Sequence, residues 1–115
     1  MKKIYHLSTC DTCKRILKEL NPPADYTLQD IKKNPVTQDE LQEMYDRSQS
    51  YEALFSKRAQ LYKKRGLKTQ KLTEEDYKNL LLEHYTFLKR PVILINDQIF
   101  IGNAQKTVEA AKNEL

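Results

Sequence analysis

Two cysteines, Cys10 and Cys13, have the clearest capacity for chemistry in this 115-residue chain, and their spacing is C-x-x-C. A short β-prone stretch, Lys2-Lys3-Ile4-Tyr5-His6-Leu7, precedes them. Ile16, Leu17 and Leu20 follow at helical spacing among Lys14, Arg15, Lys18 and Glu19. The pair therefore falls where a strand hands over to a helix. There Cys10 meets unpaired backbone N–H groups and the positive end of the helix dipole, both of which favour an anion. A thiolate is such an anion, and in this setting a thiol pKa falls from ~8.5 to ~7 or well below. Cys13, one turn on, is placed to attack a bond on Cys10 and leave an internal disulfide. Lys14 and Arg15 add positive charge, whereas Asp11 opposes the thiolate. The alternatives are a zinc half-site or two ordinary buried thiols. Zinc normally takes four ligands, and His6 and His84 are the only other soft donors, so redox chemistry is favoured and no metal site is expected.

These residues need a scaffold, and the composition limits which one. The length suits one domain with a core but little to spare. Apolar residues make up 39 % and charged residues 31 %, as in a globular protein. No apolar run approaches the ~20 residues of a membrane span, and the N-terminus has no signal-peptide h-region. A cytoplasmic location without membrane association is expected, where a C-x-x-C pair is reactive rather than structural. The net charge of +4 fits anionic substrates, an acidic partner or plain solubility, and no cluster is dense enough to argue for direct nucleic-acid binding.

Taken in order, the first strand and the cysteine helix stop at Asn21-Pro22-Pro23. Ala24 to Leu28 is expected to return as a second strand, parallel to the first through a right-handed crossover. Asp30 to Pro35 reads as a polar passage out of the sheet. A long helical stretch follows. Thr37 with Glu40 forms a capping-box pattern, and Leu41, Met44 and Tyr45 supply an apolar stripe. Tyr51, Leu54 and Phe55 suggest a short helix, and Ala59 to Arg65 another, ended by Gly66. Thr73 with Asp76 caps a further helix, with Tyr77, Leu80, Leu81 and His84 on one face. His84 is read there as structural. After Arg90-Pro91, the runs Val92–Ile95 and Gln98–Gly102 flank Asn96-Asp97 and predict a β-hairpin. Val92 to Ile95 is apolar throughout, as in a strand covered on both faces. Asn103 is expected to cap a last helix with Val108 and Ala111 inward.

In this order the motifs resemble the arsenate reductase (ArsC) and Spx family. They are Ile4-Tyr5-His6 ahead of Cys10, the C-x-x-C, Ser56-Lys57-Arg58, Leu88-Lys89-Arg90-Pro91 and Ile101-Gly102. The resemblance covers essentially the whole chain. It implies an α/β, thioredoxin-like fold with a mixed central sheet of about four strands. One domain would span 1–115, with its core in 1–35 and 88–115 and a helical insertion over 36–87. Cys10 would be the nucleophile, Cys13 the resolving thiol, Arg90 the partner of the thiolate and of an oxyanion, and Pro91 a cis-proline. An arginine offers a planar, permanently charged fork for such an anion, and X-Pro is the normal route to a cis peptide. Arg58 is the second-choice cation, and His6 a candidate for tuning Cys10. No resident cofactor is implied. The reductant would be an external thiol, glutathione with glutaredoxin or thioredoxin, and the substrate a small oxyanion or a disulfide.

Two departures divide the family reading. Glutaredoxin-linked arsenate reductases gather three arginines, and two of those positions here hold Ser56 and Gly102. Cys13 resembles the Spx branch and other thioredoxin-coupled members, in which the pair forms a disulfide. Spx proteins bind the RNA polymerase α subunit and carry a glycine before the Ser-x-Arg segment, where this chain has Asp46 to Ser50. An oxidoreductase, with arsenate as a candidate substrate, is the favoured function, and a redox-sensing regulator is the alternative.

Overall fold

The computed structural model describes all 115 residues, which divide into two compact units: Met1–Asn34 with Arg90–Leu115, and Pro35–Lys89. The first holds a four-stranded mixed sheet in the order β2-β1-β3-β4. Strand β1 (Lys2–His6) pairs parallel to β2 (Thr27–Asp30) and antiparallel to β3 (Val92–Ile95), which in turn pairs antiparallel to β4 (Gln98–Ile101). Helix α1 (Asp11–Leu20) makes the crossover between β1 and β2, and α6 (Gln105–Glu114) closes the chain. Ile4, Ile16, Leu20, Tyr26, Ile93, Ile95, Val108 and Ala111 form one buried cluster joining β1 and β3 to both helices. Val92 and Leu94 alternate to the opposite sheet face and are buried as well, so β3 has no solvent side.

The hairpin forms as expected. Asn96 takes a left-handed conformation (φ 55°), which asparagine tolerates better than most residues. The second strand is displaced from Ala24–Leu28 to Thr27–Asp30. Tyr26 donates its N–H to the Pro23 carbonyl at 3.1 Å, so residues 23–26 form a turn and pairing begins at Thr27 opposite Lys3. Asn103 does not cap α6. Ala104 is the N-cap residue, with extended backbone and no side-chain cap bond.

The second unit contains α2 (Gln38–Ser48), α3 (Tyr51–Leu54), α4 (Gln60–Lys64) and α5 (Glu74–Glu83), with 3-10 turns at Leu67–Thr69 and Tyr85–Phe87. Both expected capping boxes form, Thr37 with Glu40 and Thr73 with Asp76. Phe55 is its aromatic centre, with ring centroids 4.9 Å from Tyr77, 5.2 Å from Phe87 and 5.7 Å from Tyr62. Gly66, at φ 63°, ends the α4 turn where a side chain would be strained. His84 lies just past α5 rather than on its face, and its Nδ1 accepts from the Thr86 N–H at 3.1 Å. That is a local structural role.

Candidate active site

Strand β1 ends at His6 and α1 starts at Asp11, so the four residues between them carry the chain from sheet to helix. The Cys10 N–H donates to the Leu7 carbonyl at 3.0 Å and closes this turn. Cys10 is the N-cap residue of α1 (φ −98°, ψ 115°), and its carbonyl accepts the first helical bond from the Lys14 N–H at 3.1 Å. The sulfur makes no side-chain cap hydrogen bond. The Cys13 amide nonetheless favours its ionised form.

The two thiols differ sharply. Cys10 is half-buried and Cys13 is 0 % exposed; both are free. Burial alone pushes the Cys10 thiol up, but hydrogen bonds from the Cys13 amide, the Cys13 thiol and the Arg90 side chain, with the Arg90 charge, outweigh it. The net effect holds Cys10 below its ordinary value of 9.0. Burial pushes Cys13 up to about 11, against a hydrogen bond from the Leu7 N–H and with the Cys10 charge adding to the rise. Cys13 therefore keeps its proton and donates it toward Cys10.

Arg90 is half-buried and acts on both sulfurs, while Lys14 and Arg15 lie exposed on α1. The Arg90–Pro91 peptide bond is cis, and the buried Pro91 offers its carbonyl to the Gly102 N–H at 2.9 Å. The end of the hairpin is thereby tied to the residue that follows the site arginine. Arg58 lies exposed in the Ser56–Ala59 turn of the other unit. His6 is half-buried at the end of β1, opposite Asp30 of β2, and its charge helps hold the Asp30 carboxylate down. No group of three or more histidine, cysteine or acidic side chains is assembled that would hold a metal ion.

Two further residues here carry no signal in the sequence, Ser8 and Asp30. Asp30 accepts hydrogen bonds from the Ser8 hydroxyl at 2.5 Å, the Ser8 N–H at 3.4 Å and the Lys32 N–H at 3.2 Å. Ser8 and Asp30 stand 22 positions apart, so no local pattern links them.

The topology is that of the thioredoxin-fold oxidoreductase superfamily, with the dithiol where the first helix begins. Within it the chain belongs to the ArsC family, whose profile matches residues 5–111. An arsenate reductase of Escherichia coli strain K12 is 29 % identical over 93 residues, which make up 79 % of this chain and 66 % of that protein. The chain thus spans just under two thirds of that relative. A global transcriptional regulator, Spx 2 of Bacillus anthracis, is 25 % identical over 104 residues, 89 % of this chain and 79 % of the regulator. The solved structure of an arsenate reductase from Vibrio cholerae superposes with a TM-score of 0.78 at 20 % identity, covering 99 % of this chain and 97 % of that one. At that identity the likeness is one of fold. No helix is long and apolar enough to cross a membrane.

Proposed function

We propose that the chain is a cytoplasmic thiol–disulfide oxidoreductase with Cys10 as nucleophile and Cys13 as resolving thiol. The observation that carries this reading is the asymmetry of the pair. Cys10 is half-buried with a lowered pKa, and Cys13 is fully buried with a raised one. The Cys10 thiolate attacks one sulfur of a disulfide, forming a mixed disulfide as the first thiolate leaves. Cys13 then attacks the Cys10 sulfur, and its proton passes to the second leaving thiolate. Two thiols are released, the Cys10–Cys13 disulfide forms, and two electrons have moved.

With arsenate as substrate, Cys10 displaces an arsenic-bound oxygen, which leaves as water. Attack by Cys13 on the Cys10 sulfur then leaves the S–As electron pair on arsenic, giving As(III) and the same disulfide. Arg90 stabilises the anion with a charged, two-pronged donor. Glutaredoxin, thioredoxin or glutathione returns the two electrons. A coupled turnover assay with glutaredoxin or thioredoxin, run with and without arsenate, tests this reading. Turnover that needs Cys10 is expected, and the absence of turnover on both arsenate and disulfides would sink it.

The likeness to Spx 2 favours a second reading, in which the same disulfide alters a surface offered to the RNA polymerase α subunit. The chain's only glycines, Gly66 and Gly102, leave none in the turn before Ser56-Lys57-Arg58, which weighs against it. Retention on purified α subunit that differs between reduced and oxidised protein would favour the regulator.

A further inference from the structure

Neither thiol can be better placed than the turn that delivers it, and that turn is held by a side chain outside the dithiol. Ser8 is the first central residue of the Leu7–Cys10 turn. Its hydroxyl and its N–H both reach the Asp30 carboxylate, at 2.5 Å and 3.4 Å. Asp30 is itself held against β1. It pairs in register with His6, and the next residue, Ile31, donates its N–H to the His6 carbonyl at 2.9 Å. A third bond, from the Lys32 N–H at 3.2 Å, fixes the carboxylate plane. Within the same turn the Leu7 amide acts to lower the Cys13 thiol pKa, and Cys10 takes its N-cap conformation.

We infer that Asp30, acting through Ser8, is the positioning residue of the dithiol site: it holds the turn that sets both sulfurs against their hydrogen-bond donors. This rests on the reading of Cys10 as the nucleophile. The carboxylate is held below its ordinary range, first by the Ser8 hydroxyl, so the acceptor stays ionised at neutral pH. A hydroxyl bonded to a carboxylate is shorter and stronger than a neutral pair, which suits a clamp on a four-residue turn.

An alternative role for Asp30 is purely electrostatic, and it predicts the opposite sign. A carboxylate acting by charge disfavours a nearby thiolate, so removing it would lower the Cys10 pKa. The groups that act on Cys10 are Cys13 and Arg90. Loss of the clamp lets the turn drift from the Cys13 amide and should raise the Cys10 pKa instead.

The test is the pH dependence of Cys10 alkylation, followed by mass spectrometry, in wild type, Ser8→Ala, Ser8→Thr, Asp30→Ala and the Ser8→Ala/Asp30→Ala double variant. Circular dichroism serves as the folding control. Ser8→Ala and Asp30→Ala should each move the midpoint up and slow labelling at neutral pH by about three- to tenfold, as a rise of ~0.5–1 unit requires. The double variant should go no further, because the two residues act as one unit. Ser8→Thr should keep most of the wild-type profile, since it keeps the hydroxyl. Unchanged profiles in folded variants overturn the inference, as do additive shifts or a midpoint lowered in Asp30→Ala. Should Asp30→Ala fail to fold, Ser8→Ala against Ser8→Thr decides alone. Wild-type protein in which Cys13 is labelled first would sink the reading of Cys10 as nucleophile. Fast Cys10 labelling that ignores Ser8 and Asp30 would sink only the clamp.

Discussion

Alkylation of the two cysteines offers a direct trial of their division of labour, and its size can be worked from the site. Cys10 lies below 9.0 and Cys13 at about 11. At pH 7 the ionised fraction is then on the order of 10⁻⁴ for Cys13 and above about 10⁻² for Cys10, a ratio of at least ~100. A more basic thiolate is the better nucleophile. With a Brønsted slope of about 0.4–0.5, a gap of ~2 units gives back roughly tenfold. Electrostatics alone thus favours Cys10 by at least ~10-fold, and the complete burial of Cys13 widens the margin. The assay is a time course of iodoacetamide labelling on reduced protein from pH 5 to 10, with each cysteine quantified by peptide mass spectrometry. The Cys10 rate should reach half its plateau below pH 9, because its thiol is held down. Cys13 should stay unlabelled until the protein is denatured. Equal rates at pH 7, or Cys13 labelled first in folded protein, would refute the reasoning.

Arg90→Ala should raise the Cys10 midpoint and lower turnover by roughly 100- to 1,000-fold, the usual cost of one lost charge-assisted contact at a reacting centre. Arg90→Lys should recover only part, since it keeps the charge but loses the fork; steady-state kinetics with the alkylation profile checks both. Cys13→Ser should leave the first attack intact and let a mixed disulfide accumulate on Cys10, visible as an intact-mass adduct. Undiminished turnover would remove Cys13 from the mechanism. Phe55, 1 % exposed at the aromatic centre of the second unit, should cost about 3–5 kcal/mol when replaced by alanine, read from urea unfolding. Three carboxylates are held low: Asp30 by Ser8, Glu52 by Lys57 and Asp76 by Thr73. Their contribution to stability is present above the ordinary carboxylate range and is lost as pH falls below about 4.5 through the depressed values, so the thermal midpoint should drop there.

The sequence disclosed most where a residue type does its work alone or with near neighbours. Thr37 with Glu40 and Thr73 with Asp76 cap their own helices, and Asn96 turns its own hairpin. The C-x-x-C at the start of α1 belongs to the same kind. Where the outcome depends on a turn or a packing partner that residue type does not announce, the sequence is silent. Tyr26 looks like a strand residue, yet its N–H goes to Pro23 and its ring to the core, which moves the start of β2 from Ala24 to Thr27. Asn103 is a good cap by type. The chain leaves Gly102 at φ 93° instead, and Ala104 begins the helix. Asp30 reads as loop because a polar residue at a strand end usually is one. Its partner Ser8 is visible only once β1 and β2 lie side by side.

The order of strands in the sheet also sets a timetable for assembly. Strand β1 can pair with β2 once a short crossover has been made, since Ile4 meets Leu28. Its other neighbour, β3, joins Ile4 to Ile93, almost four times farther along the chain. Closing the longer loop costs about 1 kcal/mol more in chain entropy. A ribosome has to release Ile95 before the central pair can form, whereas Pro35–Lys89 emerges earlier and gathers its own core around Phe55. Until then β1 has one neighbour and an open edge, the kind of edge another chain can occupy. Nonlocal closure of this sort slows folding relative to a helical unit of similar size. In a growing chain the sheet that carries the dithiol therefore closes after Pro35–Lys89 has emerged, and the cysteines at its first turn wait for β3 and β4.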